Sequence, residues 1–344
     1  MTPSARTGVR VGVAGVGRIG AFHARTLLSL DTVESVVLAD LDAGRAESLA
    51  MELGAVSAPS PEELVGAGID ALVIAAPTPA HQALLSLAAA AGLPAFCEKP
   101  VALDLATLDA VIAETEAAEI LVQVGFQRRF DTGYHAAHDA VISGAVGEVL
   151  VLRAATHDPT PPPEAYIAAS GGIFRDLHIH DLDAIRFVTG REIVEVYADG
   201  AVRHASWFER HDDVDVAAAV LRLDDHTLAI VSGTRHDPLG YDVRLEVFGT
   251  VDSIVVGVDA RSPYRSVELG TPTPKPGYTS FLDRFGAAYR AELERFVSLV
   301  RDGGTSPCSL ADARAVLAVA IAADRSRAER RPVRVEEVAP DGGA

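Results

Sequence analysis

The sequence predicts a two-domain α/β protein: an N-terminal, doubly wound parallel-sheet domain over residues 1–126 and a C-terminal α/β domain over residues 127–344. The second domain is expected to be built on a large, mostly antiparallel sheet. Three observations carry this reading. At 344 residues the chain is longer than one ordinary core organises. From Val9 to Phe126, short apolar runs alternate with helical stretches, the pattern of strands covered on both faces by crossover helices. Beyond Phe126 the strands alternate polar with apolar residues and follow one another through tight polar turns.

In the first domain, Val9–Ala14, Ser35–Asp40, Asp70–Ala76, Pro94–Cys97 and Ile120–Gly125 read as strands. Between them Ile19–Leu30, Ala43–Leu53, a stretch ending at Ala91 and Leu105–Ala118 read as helices. Thr78 is placed to cap the third of these, with Pro79 in its first turn, and Asp104 to cap the fourth. In the second domain the expected strands are Glu148–Thr156, Ile193–Val202, Asp215–Leu223, Thr227–Arg235, Tyr241–Phe248 and Ser253–Val258. Tyr241–Phe248 alternates Asp242, Arg244 and Glu246 with Val243, Leu245 and Val247, so one face is buried. Helices over about 171–189 and 281–300 are expected to cover that face. Ala260–Lys275, rich in proline, reads as a loop, and Ala311–Arg327 as a last helix.

The bulk numbers exclude several partner classes. Forty-eight acidic against thirty basic residues give a net charge of −18, which repels phosphate backbones and anionic lipid. No nucleic-acid or membrane partner is expected, whereas a small neutral substrate is compatible. Met1–Arg10 lacks the apolar core of a secretory signal and no run is long enough for a membrane span, so a cytoplasmic location is expected. Cys97 and Cys308 form no ligand or redox spacing and are expected to be reduced fillers.

Gly15-Val16-Gly17-Arg18-Ile19-Gly20 is a G-x-G-x-x-G run after a strand and at the start of a helix, and Asp40 ends the next strand twenty residues later. In that context the motif is the dinucleotide fingerprint of a Rossmann domain. Gly15 permits the turn, Gly17 lets backbone approach a pyrophosphate, and Gly20 allows close helix–strand packing. The helix N-terminus offers free N–H groups to the phosphates. Asp40 can accept from both adenosine ribose hydroxyls and repels a 2′-phosphate, so NAD is expected; Arg45 leaves NADP open, and a flavin shares the fingerprint.

Glu98-Lys99-Pro100 lies at the carboxyl end of a core strand, the edge at which open α/β sheets bind ligands. A lysine there can hydrogen-bond a substrate oxygen and stabilise developing negative charge. Farther on, a continuous helix would place Asp176 and His180 one turn apart on one face, with Asp183 close by. A carboxylate beside an imidazole raises its basicity, as a general base requires. The residues alone leave open a purely structural pair or a metal cluster with His178 and Asp181. Because His178 and His180 point to different helix faces, no metal is expected.

These motifs together resemble the Gfo/Idh/MocA oxidoreductases over nearly the whole chain. The resemblance rests on the glycine fingerprint, Ala76-Pro77-Thr78-Pro79-Ala80-His81, Glu98-Lys99-Pro100, the Gly171-Gly172…Asp176…His180-Asp181-Leu182-Asp183 segment and Asp312-Ala313-Arg314. It implies Lys99, Asp176 and His180 as the catalytic group, with Lys99 polarising the reacting hydroxyl and His180 accepting its proton. The cofactor contacts it implies are Gly15, Gly17, Arg18, Ile19, Gly20, Asp40, Thr78, His81, Glu98 and Lys99. It also implies a homo-oligomer, often a tetramer, formed through the open face of the second sheet. Gly125-Phe126-Gln127-Arg128-Arg129-Phe130-Asp131-Thr132-Gly133-Tyr134 and Tyr241-Asp242 resemble the inositol dehydrogenase branch. The chain departs from that branch at Thr156-His157-Asp158-Pro159, where many of its members read His-Arg-Asn-Pro. Gln127, Arg128, Thr156, Asp158 and Tyr241 are the expected substrate selectors. The expected reaction is oxidation of one ring hydroxyl of a cyclic polyol to a ketone, with hydride passing to C4 of the nicotinamide. The alternatives are an aldose, anhydrosugar or aminosugar dehydrogenase, or an NAD-responsive regulator without catalysis.

Overall fold

The computed structural model describes residues 8–268, 270 and 275–339. The chain forms two compact units: one comprises the chain up to Phe126 together with Tyr289–Arg314, the other Gln127–Ala288 with the chain from Ala315 on.

In the first unit the elements follow in order β1 (Val9–Ala14), α1 (Arg18–Leu28), β2 (Val33–Ala39), α2 (Ala43–Leu53), β3 (Val56–Ser57), α3 (Pro61–Gly66), β4 (Ala71–Ile74), α4 (His81–Ala90), β5 (Ala95–Glu98), α5 (Leu105–Ala117) and β6 (Val122–Gly125). Among the described residues these strands form one sheet in the order β3-β2-β1-β4-β5-β6, every pair parallel. This is the doubly wound order that places a ligand site at the carboxyl ends of β1 and β4. Local chemistry sets the helix starts. Asp42 accepts from the Arg45 N–H at α2, Ser60 precedes Pro61 at α3, and Asp104 accepts from the Thr107 N–H at 2.8 Å at α5. Thr78 is not the cap it was expected to be. It opens a 3-10 turn, Thr78–Ala80, before α4 begins at His81.

The second unit begins with the 3-10 turn Gln127–Phe130 and α6 (Thr132–Ile142), capped by Asp131. There follow β7 (Val149–His157), α7 (Glu164–Ser170), α8 (Ile173–Asp176), α9 (Ile179–Thr189), β8 (Ile193–Ala201), β9 (Val216–Leu223), β10 (Leu228–Thr234), β11 (Asp242–Gly249) and β12 (Ser253–Val256). The chain continues with α10 (Phe281–Asp302), α11 (Leu310–Glu329) and β13 (Val333–Arg334). The second sheet runs β12-β11-β7-β10-β9-β8-β13 and is antiparallel except for the parallel pair β7–β10. Alternation buries one face, with Leu152, Ala154, Ala219, Leu221, Ala229, Val231, Val243, Leu245 and Val247, although Asp242 at the start of β11 is buried as well. The opposite face leaves Tyr197, Val220, Ile230 and Val255 exposed.

Helices α6 and α7 were not expected. The first is weakly amphipathic and the second follows a run of prolines, so neither gives a strong 3.6-residue signal. A larger difference concerns α10, expected to cover the second sheet. From Tyr289 onward it belongs to the first unit, where Leu293, Phe296 and Val297 join Val11, Leu38, Val73 and Phe96 in one apolar core. The loop expected over Ala260–Lys275 falls partly outside the described residues. Both cysteines are buried and free, and among the described residues no helix is long and apolar enough to cross a membrane.

Candidate active site

The carboxyl end of β1 is shaped by glycine. Gly15 has φ +92°, and a Cβ there would lie 2.6 Å from the Ala76 nitrogen. A Cβ on Gly20 would lie 1.9 Å from the Gly15 carbonyl oxygen, so α1 can start against the turn only if that residue has no side chain. Gly17 differs: nothing lies within 4 Å of where its Cβ would be. It is also the N-cap of α1, with no side chain on the N–H groups of the first turn and no acidic residue there. Arg18 and Ile19 begin the helix. The loop thus presents an open, positively polarised backbone surface fit for an anion. At the end of β2, Asp40 accepts from the Val16 N–H at 2.8 Å and the Asp42 N–H at 3.0 Å, with the Arg45 guanidinium 3.6 Å away. These bonds leave acceptor capacity on a fixed carboxylate, as ribose recognition requires. The donor set and the open space at Gly17 fit a dinucleotide.

Two of the expected cofactor contacts have side chains bonded within the protein. His81 is enclosed, with Nδ1 at 2.9 Å from the Pro100 carbonyl and Nε2 at 2.8 Å from that of Ala76. Its ring ties the turn after β4 to the turn after β5 and presents no nitrogen outward; burial pulls its pKa below the usual value. Glu98 is likewise turned inward, with Oε1 2.7 Å from Nε2 of the buried His23. Beside it lies Glu292, whose carboxyl oxygens have no hydrogen-bond partner among the described residues. Burial and the neighbouring Glu98 push the Glu292 carboxyl well above its ordinary range. Lys99, next in the chain, is half-buried and follows the end of β5.

In the second unit, Asp176 and His180 do not share one continuous helix. Helix α8 ends at Asp176, and both the Leu177 and His178 N–H groups bond to the Ile173 carbonyl, a π-type closure, before α9 begins. His180 is half-buried, whereas Asp176 and His178 are buried. Because β7 and β10 run parallel and β11 runs back beside β7, the ends of the first two and the start of the third gather at one edge. That edge carries Thr156 and Asp158, Arg235, and Tyr241.

Two buried networks are built there. In one, Arg128 donates to Asp181 and, at 2.9 Å, to the Thr156 hydroxyl, which itself donates to Asp181 at 2.7 Å. His178 Nδ1 lies 2.9 Å from the other Asp181 oxygen. Gly233 permits this, since a Cβ there would be 2.5 Å from His178 Cε1. Arg128 and His178 hold the Asp181 carboxyl far below its ordinary range despite burial. Thr156 and Arg128, expected to touch substrate, are therefore enclosed and bonded to Asp181; Tyr134, in whose ring direction Arg128 points, is pushed up to about 12 by burial. Gln127 and Tyr241 are buried beside them. In the second network Asp176 accepts from Tyr166 Oη and from Arg235 Nη2, both at 2.7 Å, and Arg235 Nη1 donates to Asp158 at 3.0 Å.

Residues 9–126 match the model of the oxidoreductase family with an NAD-binding Rossmann fold, and residues 134–255 match the GFO/IDH/MocA C-terminal domain. The chain belongs to the GFO/IDH/MocA oxidoreductase family. It is 37% identical to a myo-inositol 2-dehydrogenase of Thermotoga maritima over 96% of this chain and 99% of that protein. It is 35% identical to a scyllo-inositol 2-dehydrogenase (NAD(+)) of Bacillus subtilis over 95% of this chain and 96% of that protein. Among solved structures, a probable dehydrogenase from Thermotoga maritima superimposes with a TM-score of 0.91 at 35% identity, covering 96% of this chain and 100% of that one. A myo-inositol dehydrogenase from Lactobacillus casei in complex with NAD(H) and myo-inositol does so with a TM-score of 0.83 at 26% identity, covering 95% and 96%.

As a member of this family the chain is an oxidoreductase whose Rossmann domain takes NAD. Tyr166 and Arg235, which hold Asp176, lie outside the sequence motifs, and Asp181, weighed there only as a metal ligand, holds Arg128 and Thr156. Their partners lie 10 to 59 positions away, beyond the reach of local spacing.

Proposed function

We propose that this GFO/IDH/MocA oxidoreductase oxidises one ring hydroxyl of an inositol, myo- or scyllo-, to the ketone. The observation that carries the reading is the Asp176 carboxylate, anchored on both oxygens and four residues before a half-buried imidazole, in a chain similar over nearly its whole length to inositol 2-dehydrogenases. NAD, when bound, supplies the hydride acceptor at nicotinamide C4. Gly15, Gly17, Arg18, Ile19 and Gly20 would hold its pyrophosphate and Asp40 its ribose, with Thr78 and Lys99 at neighbouring strand ends. His180 takes the hydroxyl proton, Asp176 stabilises the imidazolium, and the Lys99 ammonium hydrogen-bonds the reacting oxygen. Gln127, Asp158 and Tyr241 select among the remaining hydroxyls, while Arg128 and Thr156 act through Asp181. A cytoplasmic homotetramer formed through the exposed face of the second sheet completes the reading.

The test is a screen of cyclitols, aldoses, anhydrosugars and aminosugars with NAD and NADP, read by absorbance of the reduced cofactor. Inositols with NAD are expected to turn over fastest. A different preferred class replaces the substrate, and NAD binding with no turnover replaces catalysis by sensing. In the same assay Lys99→Ala is expected to lower kcat by about a thousandfold with NAD affinity within about threefold of wild type. Parallel losses in both would place the lysine on the cofactor.

A further inference from the structure

Helix α7 follows Pro159-Thr160-Pro161-Pro162-Pro163, whose rings fix much of the backbone leading into it. It is docked by Ile167 against Ala205 and Phe208 and by the ion pair of Glu164 with Arg210. Tyr166 on this helix is 48% exposed, yet its hydroxyl lies 2.7 Å from Asp176 Oδ1. A ring left half in water gains little from packing, and phenylalanine would pack as well; what the tyrosine adds is a donor to that carboxylate. The opposite oxygen accepts from Arg235, 3% exposed, which also bonds Asp158 and lies in the field of Asp213. Asp213 in turn caps the Ile173 N–H at the start of α8.

We propose that Tyr166 is a positioning residue of the reaction: with Arg235 it clamps the two oxygens of Asp176, fixing the orientation and charge of the carboxylate that serves His180. The proposal rests on the reading of Asp176 and His180 given above. Burial and the adjacent carboxylate push the Tyr166 phenol well above its ordinary pKa, so it stays a donor throughout the working range. Arg235 supplies the permanent charge, and the phenol supplies direction.

The experiment compares Tyr166→Phe, Arg235→Lys and Asp176→Asn in the intact chain, with the substrate turned over fastest in the screen. Tyr166→Phe is expected to lower kcat about tenfold, leaving NAD affinity unchanged and moving the acid limb of the kcat/KM profile to higher pH. That direction follows because losing a donor makes the potential at the carboxylate more negative, so both it and the imidazole hold their protons more tightly. Arg235→Lys keeps a charge but offers one nitrogen where Nη1 and Nη2 bond Asp158 and Asp176 separately, and a loss of about a hundredfold is expected. Asp176→Asn is expected to lose at least as much. A crippled Asp176→Asn beside a Tyr166→Phe with wild-type kcat and pH profile overturns this proposal alone. A drop in melting temperature for Tyr166→Phe with an unmoved pH profile also overturns it, since the hydroxyl would then be structural. An Asp176→Asn enzyme with wild-type turnover overturns the underlying reading and the proposal with it.

Discussion

The glycine loop of the first unit and the strand-end networks of the second are two ways of making a site. The loop works through backbone: Gly15 and Gly20 remove atoms that would collide, and Gly17 leaves room where a ligand can come close. The strand ends work through side chains: Arg128, Asp181, Thr156 and His178, then Arg235, Asp176, Asp158 and Tyr166, are bonded to one another in two networks. A backbone site is specified by what is missing at single positions. A network site is specified by agreement among distant residues, and its members are costly to remove singly, because each leaves a buried partner unsatisfied.

The largest expected effect tests that second statement. Asp183 accepts from Arg129 Nε on both oxygens, at 3.1 and 3.0 Å, and from Nη2 at 2.6 Å, tying the turn after β6 to α9. Both side chains are under one-tenth exposed. Asp183→Ala takes the bidentate carboxylate from a buried guanidinium, and a loss of about 3–5 kcal/mol is expected in urea unfolding. Replacing both partners, Arg129→Met with Asp183→Leu, should recover much of it. A single mutant within about 1 kcal/mol of wild type would mean that water reaches the pair, and the contrast between the units would lose its basis.

The loop offers a sharper internal contrast. Gly20→Ala puts a methyl 1.9 Å from a backbone oxygen that cannot rotate away, and about 1–3 kcal/mol of stability or more should be lost. Gly17→Ala meets nothing, so the free protein should lose only the N-cap preference of glycine over alanine, about 0.5–1 kcal/mol. Its NAD dissociation constant, followed by titration, should rise about tenfold or more as the methyl enters the phosphate space. Gly17→Ala protein that binds NAD normally would show that the pyrophosphate does not approach this backbone.

The same contrast explains what could be read in advance. Gly15, Gly17 and Gly20 are legible because steric demand at one residue leaves glycine as the answer, and Asp40 because the strand spacing fixes its distance. The second sheet was legible from alternation, down to Val243, Leu245 and Val247 facing inward. The destination of α10 was not: an amphipathic helix announces that it buries a face, not which core receives Leu293 and Phe296. Nor was the break at Leu177, since apolar spacing runs on through Ile179 and Leu182 and a π-type closure has no residue signature. His81 and Glu98 stand at element ends, as their motifs imply, but their side chains face inward, because local order fixes a position and tertiary packing fixes a direction. The bond from Arg128 to the Thr156 hydroxyl, twenty-eight positions away, has no local signal for the same reason.

The smallest expected effect asks whether every acidic group among the second unit's ion pairs is held as Asp181 is. Asp324 on α11 lies 3.0 Å from Arg175, a quarter exposed, and burial raises its carboxyl to about 6 against the attraction of that guanidinium. A raised folded-state value means that the ionised form is disfavoured on folding. Its stabilising contribution is complete below the ordinary value of 3.8, and it is lost as pH rises through about 6. Above that, the chain carries a carboxylate it would hold better neutral. Asp324→Asn should therefore melt higher than wild type at pH 8, by about 2 °C for roughly 1 kcal/mol, and level with it at pH 4. Scanning both proteins across that range checks the sign. A mutant that melts lower at pH 8 would show that pairing with Arg175 outweighs burial, and Asp324 would join Asp181 as a group whose charge the fold favours.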